Sequence, residues 1–192
     1  MNVVGLTGKA CAGKNQVALG FEKKGYRVID VDKLGHKALE FKKNEIIKAF
    51  GSNIISGGLV DRKKLGDIVF SSKAQLRLLE AIVHPYVKKL CLEIIKESET
   101  DVVLNAAVLQ RGALLELCSN VIFVKASFCI RYKRSLKRDK KSFKWFVKRE
   151  FSQKDVNIRE LKKKTQVFVI VNQKGTKEIY RQIDRYCGIF KK

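Results

Sequence analysis

Short apolar runs alternate with longer segments of mixed polarity along the chain, a pattern typical of α/β proteins. Five runs rich in β-branched and aromatic residues predict strands at residues 3–6, 26–29, 102–104, 121–124 and 167–171. The segments between these strands place apolar residues at helical spacing. We therefore expect a single α/β domain over residues 1–192, with a mostly parallel five-stranded sheet flanked by helices.

The same spacing predicts where the helices lie. They are expected at residues 14–24, 34–39, 61–70, 76–82, 109–118, 127–138, 143–151 and 177–186. His84 and Pro85 are expected to end the helix at 76–82, because proline is favoured at the first position of a new helix. Residues 51–58 predict a polar turn. In the helix at 143–151, four apolar residues fall on one face and predict helix packing: Phe143, Phe146, Val147 and Phe151.

The stretch after the first strand has the spacing of a phosphate-binding loop. Gly8 and Gly13 bracket four residues, and Lys14 opens the next helix, which gives G-x-x-x-x-G-K between a strand and a helix. Backbone amides and the N-terminus of the helix can donate to an anion, while Lys14 adds a mobile cation. A strand–turn–helix without a phosphate site is the alternative interpretation. The expected ATP contacts in this stretch are Cys11, Ala12, Gly13, Lys14, Asn15 and Gln16.

Two amides occupy positions where a P-loop protein is expected to bind Mg²⁺. Asn15 follows the lysine, where the motif has Ser or Thr. Asn105 ends the predicted strand at 102–104, where P-loop folds carry an acid that holds the metal through water. An amide oxygen is still a hard-metal ligand, so we expect Asn15 to be a weak Mg²⁺ ligand.

Asp30 and Asp32 follow the second predicted strand. Polar residues at this end of a strand lie where open α/β sheets bind ligands. Period-two alternation would place both carboxylates on the same side. One of them could simply cap the following helix, since Asp is a favoured N-cap; we assign that role to Asp30 and the functional role to Asp32.

Arg62 and His84 are weaker candidates. Arg62 lies in the first turn of a predicted helix, where a cation gains nothing from the helix dipole, and this mismatch hints at a function. His84 fits a cap or core position as well as it fits a ligand contact.

The charge of the chain is large and unevenly distributed. The net charge is +22 over 192 residues, and residues 131–164 contain fifteen Lys or Arg against four Asp or Glu. Such a basic segment attracts polyanions, either nucleic acid or substrates that carry several phosphates. A lysine-rich surface with no specific role is the third interpretation. No apolar run approaches the length of a membrane helix, and the N-terminus lacks a leader pattern, so we expect a cytoplasmic protein.

Several motifs taken together resemble dephospho-CoA kinase. They are Gly5-Leu6-Thr7-Gly8 running into Gly13-Lys14, then Val28-Ile29-Asp30-Val31-Asp32, then Asp61-Arg62-Lys63-Lys64-Leu65-Gly66, and then His84-Pro85. The region from Arg134 to Arg138, Gln153, and the last strand running into Asn172 are also similar. The resemblance covers nearly the whole chain, whereas the P-loop alone would fit any phosphotransferase.

The resemblance implies a P-loop kinase fold with a helical acceptor-binding region at about 35–98 and a basic lid at about 131–164. It implies transfer of the ATP γ-phosphate to the 3′-hydroxyl of dephospho-CoA, with Mg²⁺ as cofactor. Asp32 would orient or deprotonate that hydroxyl, Lys14 would bind the β- and γ-phosphates, and Arg138 would close over ATP. The implied acceptor contacts are Thr7, Asp32, Arg62, His84 and Asn105.

Two alternatives remain open on the sequence alone. One is another small P-loop kinase of the nucleoside monophosphate type, although the Asp61-Arg62 and His84-Pro85 elements are against it. The other is a basic nucleic-acid-binding protein, supported only by the charge and by aromatic residues among the cations. We expect dephospho-CoA and ATP as the binding partners, with no membrane, no nucleic acid and no obligate protein partner.

Overall fold

Nine helices and seven strands make up the part of the chain that the computed structural model describes, namely residues 1–140, 142–153, 156–173 and 175–190. The strands are β1 (Val3–Thr7), β2 (Arg27–Asp30), β3 (Ile55–Ser56), β4 (Leu59–Val60), β5 (Val102–Asn105), β6 (Asn120–Lys125) and β7 (Val167–Val171). The helices are α1 (Lys14–Glu22), α2 (Val31–Phe41), α3 (Lys43–Phe50), α4 (Arg62–Val69), α5 (Lys73–Lys96), α6 (Phe128–Asp139), α7 (Phe143–Ser152), α8 (Ile158–Lys162) and α9 (Thr176–Phe190). None of the helices described is both long and apolar enough to cross a membrane.

The chain forms two compact units, one made of residues 1–30 and 97–192, the other of residues 31–96. In the first unit, five parallel strands are ordered β2-β5-β1-β6-β7, which confirms the predicted sheet. All five residues of β1 are buried, as expected for the central strand. Because the strands are parallel, their carboxyl ends share one edge, and the loops that follow β1, β5 and β7 meet there.

A hydrophobic core on one face of this sheet positions the loop after β1. Leu6, Val124 and Ile170 point from the sheet into this core, where Val17 and Phe21 of α1 meet them. Ile179 and Ile183 of α9 complete it. Burying a side chain of this size contributes about 1.5–3 kcal/mol, so the core fixes α1, and hence the start of that helix, against the sheet.

The second unit is mainly helical, and its longest helix corrects a prediction. The expected break at His84-Pro85 was wrong, because α5 runs through Pro85 without interruption. Proline inside a helix costs about 3 kcal/mol through a lost hydrogen bond and a steric clash. Four buried side chains spaced by one turn lie along the same helix and outweigh that cost: Val83, Val87, Cys91 and Ile95.

The polar turn expected at residues 51–58 is more structured than predicted. A 3₁₀ turn at Ser52–Ile54 leads into an antiparallel hairpin of β3 and β4. Gly57 and Gly58 connect the two strands, and both have positive φ angles, as a tight two-residue hairpin turn requires. The side chain of Ile54 is completely buried and holds the hairpin to this unit.

A further prediction in the first unit was wrong, and another was confirmed only in part. Residues 109–118 form 3₁₀ turns at Arg111–Ala113 and Leu115–Leu117 instead of a helix, because Ala113 takes a left-handed φ of 55°. In α7, Phe146 is buried but Phe143 and Phe151 are more than half exposed, so the predicted apolar face is only partly used. The rings of Phe143 and Phe146 both pack against Phe128 and Tyr132 on α6, as the predicted helix packing requires.

Candidate active site

The loop between β1 and α1 has the geometry of a phosphate-binding loop. Gly13 caps α1 with a left-handed φ of 98°, and a Cβ at this position would lie 2.1 Å from Nδ2 of Asn172. A Cβ on Gly8 would lie 2.5 Å from the carbonyl oxygen of Val124. Both positions therefore require glycine. Because the first amides of a helix have no acceptor within it, the start of α1 presents donors to an anion.

A cavity of about 610 Å³ opens in front of this loop. The described residues that form its walls carry four cationic side chains and no carboxylate; they are Cys11, Gly13, Lys14, Asn15, Gln16, Arg134, Lys137 and Arg138. Nζ of Lys14 donates to the carbonyl oxygen of Gly8 at 3.1 Å, which folds the lysine back along the loop. The structure thus brings Arg138 and five of the six predicted residues at 11–16 together around one cationic cavity suited to a polyphosphate, whereas Ala12 is buried and does not line it.

Arg134 and Asn172 hold this loop in shape, and the motif search had not assigned them a role. Arg134 donates to the carbonyl oxygen of Ala12 at 3.2 Å and to Oδ1 of Asn172 at 2.9 Å. Nδ2 of Asn172 also donates to the carbonyl of Ala12 at 2.9 Å. Asn172 is buried, and it directly follows β7 at the edge of the sheet where Asn105 lies. That shared position, a polar residue at the carboxyl end of an apolar strand, was the signal available in the sequence.

Arg138 is bound to its neighbour Asp139. Nε and Nη2 of Arg138 donate to the two carboxylate oxygens of Asp139 at 2.7 and 2.9 Å. Arg149 of α7 reaches the same carboxylate at 3.4 Å. The hydrogen bond from Arg138 holds the pKa of Asp139 below its usual range. The Arg138 side chain is 59% exposed beside the cavity, whereas the Asp139 side chain is only 20% exposed.

The two amides predicted near Mg²⁺ are in contact. Nδ2 of Asn105 donates to Oδ1 of Asn15 at 3.2 Å. Asn105 is buried, and its own Oδ1 accepts no hydrogen bond from the described residues. The described residues contain no group of three His, Cys, Asp or Glu side chains able to hold a metal. Thr7 is also buried, and its hydroxyl donates to the carbonyl oxygen of Ala107 at 3.2 Å.

The remaining predicted residues belong to the second unit. The alternation expected for Asp30 and Asp32 was wrong, because β2 ends at Asp30 and Asp32 already lies in the first turn of α2. Nη1 of Arg62 lies 3.0 Å from Nε2 of His36, a residue that the motif search missed. His36 is four residues after Asp32 and shares its helix face, so Arg62 lies beside the face that carries Asp32.

Asp61 and His84 complete this unit. Asp61 caps α4 by accepting from the amides of Lys63 and Lys64 at 3.0 and 3.2 Å, and these backbone hydrogen bonds lower its pKa. That cap fixes the helix start and hence the position of Arg62. His84 lies within α5 and is half-buried, so it does not cap a helix as one interpretation of the sequence expected.

Comparison with known proteins gives consistent matches along the chain. The family model described as dephospho-CoA kinase matches residues 2–178. A dephospho-CoA kinase from Fusobacterium nucleatum is 31% identical over 194 residues, covering 96% of each chain. Among solved structures, a Thermus thermophilus protein superposes with a TM-score of 0.86 at 29% identity, covering 98% of this chain and 96% of its own. A dephospho-CoA kinase from Campylobacter jejuni gives 0.71 at 26% identity, covering 97% and 96%.

Proposed function

Because the chain belongs to the dephospho-CoA kinase family, we propose that it transfers the γ-phosphate of ATP to the 3′-hydroxyl of dephospho-CoA, the last step of coenzyme A synthesis. The observation that carries this proposal is the family match over residues 2–178. The P-loop and its cationic cavity supply the chemistry that the transfer needs. The match favours this reaction over a nucleoside monophosphate kinase and over a nucleic-acid-binding protein. We place the reaction in the cytoplasm as part of the same proposal.

The cavity in front of the P-loop is the proposed ATP site. Backbone amides at the start of α1 bind the phosphate oxygens, and Lys14 follows the β- and γ-phosphates. To catalyse phosphoryl transfer, the protein mainly has to position the two substrates and to supply positive charge at the phosphates. Lys137 and Arg138 add charge from α6 on the same cavity wall. The basic segment would then act as a lid that also excludes water.

Asp32 is the proposed acceptor of the hydroxyl proton. The 3′-oxygen attacks the γ-phosphorus, the bond from that phosphorus to the β–γ bridging oxygen breaks, and ADP leaves. Asp32 receives the proton as the new phosphate ester forms. Arg62, which lies beside the helix face of Asp32, and His84 are proposed to bind the dephospho-CoA phosphates. Thr7 and Asn105 remain proposed contacts on the acceptor side.

The amide pair fits a magnesium site of low charge. Asn15 and Asn105 offer neutral oxygen ligands, and Oδ1 of Asn105 is a buried acceptor without a described donor, as a metal-bound water would require. These two residues would therefore hold the ion, directly or through water. Bound magnesium supplies charge neutralisation at the β- and γ-phosphates. With no carboxylate at either position, most of the affinity would come from ATP itself.

Asn105→Asp tests this neutral site. We expect the Mg²⁺ concentration that half-saturates binding of a non-hydrolysable ATP analogue to fall by about tenfold, because ligand charge sets affinity for hard cations. Calorimetric titration at fixed nucleotide and varied Mg²⁺ measures it. Asn120→Asp, at the amino end of β6 and so at the opposite edge of the sheet, is the matched control. Equal midpoints in both variants would contradict the assignment.

The function itself is tested by ADP release from Mg-ATP with and without dephospho-CoA, with the product identified by mass. We expect ADP release to depend on the acceptor and the product to be one phosphate heavier than dephospho-CoA. A nucleoside monophosphate panel run alongside should give no comparable turnover. Acceptor-independent hydrolysis, or preference for a nucleoside monophosphate, would overturn the proposal.

A further inference from the structure

We propose that Gln153 and Glu150, at the end of α7, are positioning residues that set the shape of the P-loop before ATP binds. The inference rests on the proposed function, since it treats the loop as the ATP site. It concerns the first half of the loop, at Lys9 and Ala10, which does not line the cationic cavity. Lys9 pairs with Glu150 of α7. Ala10 hydrogen-bonds to Gln153 and to Arg131, and Arg131 is in turn held by Glu150.

Gln153 satisfies a buried amide of the loop. The backbone N–H of Ala10 donates to Oε1 of Gln153 at 2.8 Å, and Ala10 is 5% exposed. A buried amide without an acceptor is costly, so the loop conformation that offers this N–H to Gln153 is favoured over others. Gln153 is itself fixed, because its N–H caps α7 by donating to the carbonyl of Glu150.

Glu150 holds the neighbouring lysine and a buried arginine together. Its carboxylate pairs with Nζ of Lys9 and accepts two hydrogen bonds from Arg131, at 2.6 and 3.0 Å. Arg131 is buried and also donates to the carbonyl of Ala10 at 3.4 Å. Although burial alone would raise the pKa of Glu150, the hydrogen bonds from Arg131 and Lys9 keep it below its usual range. Glu150 therefore stays ionised and keeps the Lys9 cation away from the nucleotide cavity.

These contacts act just before the strained part of the loop. Cys11, the next residue, has a left-handed φ of 60°, which a residue with a side chain adopts at a cost. Arg134 and Asn172 hold the following carbonyl, that of Ala12. The loop is thus fixed on both sides of Cys11, and the amides that meet the phosphates are already oriented. Preorganised donors bind an anion without the cost of ordering them.

Gln153→Ala separates positioning from general stability when it is paired with Glu40→Ala. Glu40 of α2 makes the same kind of bond in the second unit, with Oε1 accepting from the amide of Val60 at 3.1 Å. By calorimetry on the full chain, Gln153→Ala should weaken binding of a non-hydrolysable ATP analogue by about five- to tenfold, the value of one hydrogen bond. Glu40→Ala should change it by less than about twofold. Gln153→Glu, which keeps the acceptor, should restore most of the affinity.

A second pair of variants keeps the test informative if Gln153→Ala lowers stability. Glu150→Gln should weaken the same binding by at least as much, whereas Glu160→Gln, which removes an exposed pair with Lys163 on α8, should not. A loss of nucleotide affinity that only parallels the fall in Tm, or one that is equal in Gln153→Ala and Glu40→Ala, would overturn the inference. Failure of the proposed function would look different: the unmodified protein would bind the ATP analogue but would not phosphorylate dephospho-CoA.

Discussion

Replacing Asp32 by asparagine is expected to lower kcat by about 10²- to 10⁴-fold, the usual contribution of a general base. Asparagine keeps the size of the side chain but cannot accept the hydroxyl proton. Asp32 is exposed in the first turn of α2, so the fold should tolerate the change. The KM for ATP should stay within about twofold, because the P-loop is untouched. Initial rates of acceptor-dependent ADP release at saturating substrates measure the effect.

Two other acids serve as references for that result. Asp67 is exposed on α4 in the same unit, so Asp67→Asn controls for the loss of one negative charge. Asp30→Asn distinguishes the two acids that the sequence places together, since Asp30 ends β2. A large loss in Asp30→Asn with little in Asp32→Asn would assign proton transfer to Asp30. Full activity in Asp32→Asn would remove it from the mechanism.

Arg138→Ala is expected to lower kcat by about 10²- to 10³-fold, as loss of one preorganised donor to transition-state charge does. Its guanidinium lines the P-loop cavity but is held by Asp139. An exposed ion pair of this kind is weak, so the several negative charges of ATP can attract Arg138 away from Asp139. Arg138→Lys keeps the charge but loses the planar guanidinium group. Its kcat should therefore lie between those of the unmodified protein and Arg138→Ala. Single-turnover rates with bound ATP separate this step from binding.

Arg181→Ala is the matched control, because Arg181 is an exposed arginine on α9 that pairs with Glu178 just as Arg138 pairs with Asp139. Its kcat should equal that of the unmodified protein. Asp139→Asn extends the test, since freeing Arg138 should leave kcat intact and lower the KM for ATP. Unchanged turnover in Arg138→Ala would contradict the role of the basic segment as a lid.

The sheet and the P-loop could be predicted because each depends on patterns within short stretches of sequence. Strands buried on both faces read as apolar runs, and the glycine spacing around Lys14 is local. Gly13 shows why the motif is so restrictive: its backbone is left-handed and an amide occupies the space of a side chain. Residues such as Asn105 could be placed because the ends of parallel strands share one edge.

Features that depend on distant contacts could not be predicted in the same way. Pro85 was predicted to break the helix because proline destabilises a helix interior. The buried side chains along α5 outweigh that free-energy cost through packing against the rest of the unit, which a local pattern does not show. The spacing of apolar residues does not reveal that Ala113 takes a left-handed φ angle, so it could not show that residues 109–118 fail to form a helix. The sequence around Gln153 and Glu150 did not indicate that they contact the loop. The residues that they contact there, Ala10 and Lys9, lie more than a hundred positions earlier in the chain.

The bonds that hold the P-loop have a consequence for the order in which the protein is made. Ala10 and Ala12 leave the ribosome well before the side chains that fix their positions: Arg134 and Asn172 follow Ala12 by 122 and 160 residues, and Gln153 follows Ala10 by 143. A nascent chain folds as its partners emerge. Until Asn172 has emerged, the motif is present without the contacts that give it its form. The proposed nucleotide site therefore takes its form only after Asn172 has been synthesised, so we do not expect ATP to guide the earlier steps of folding.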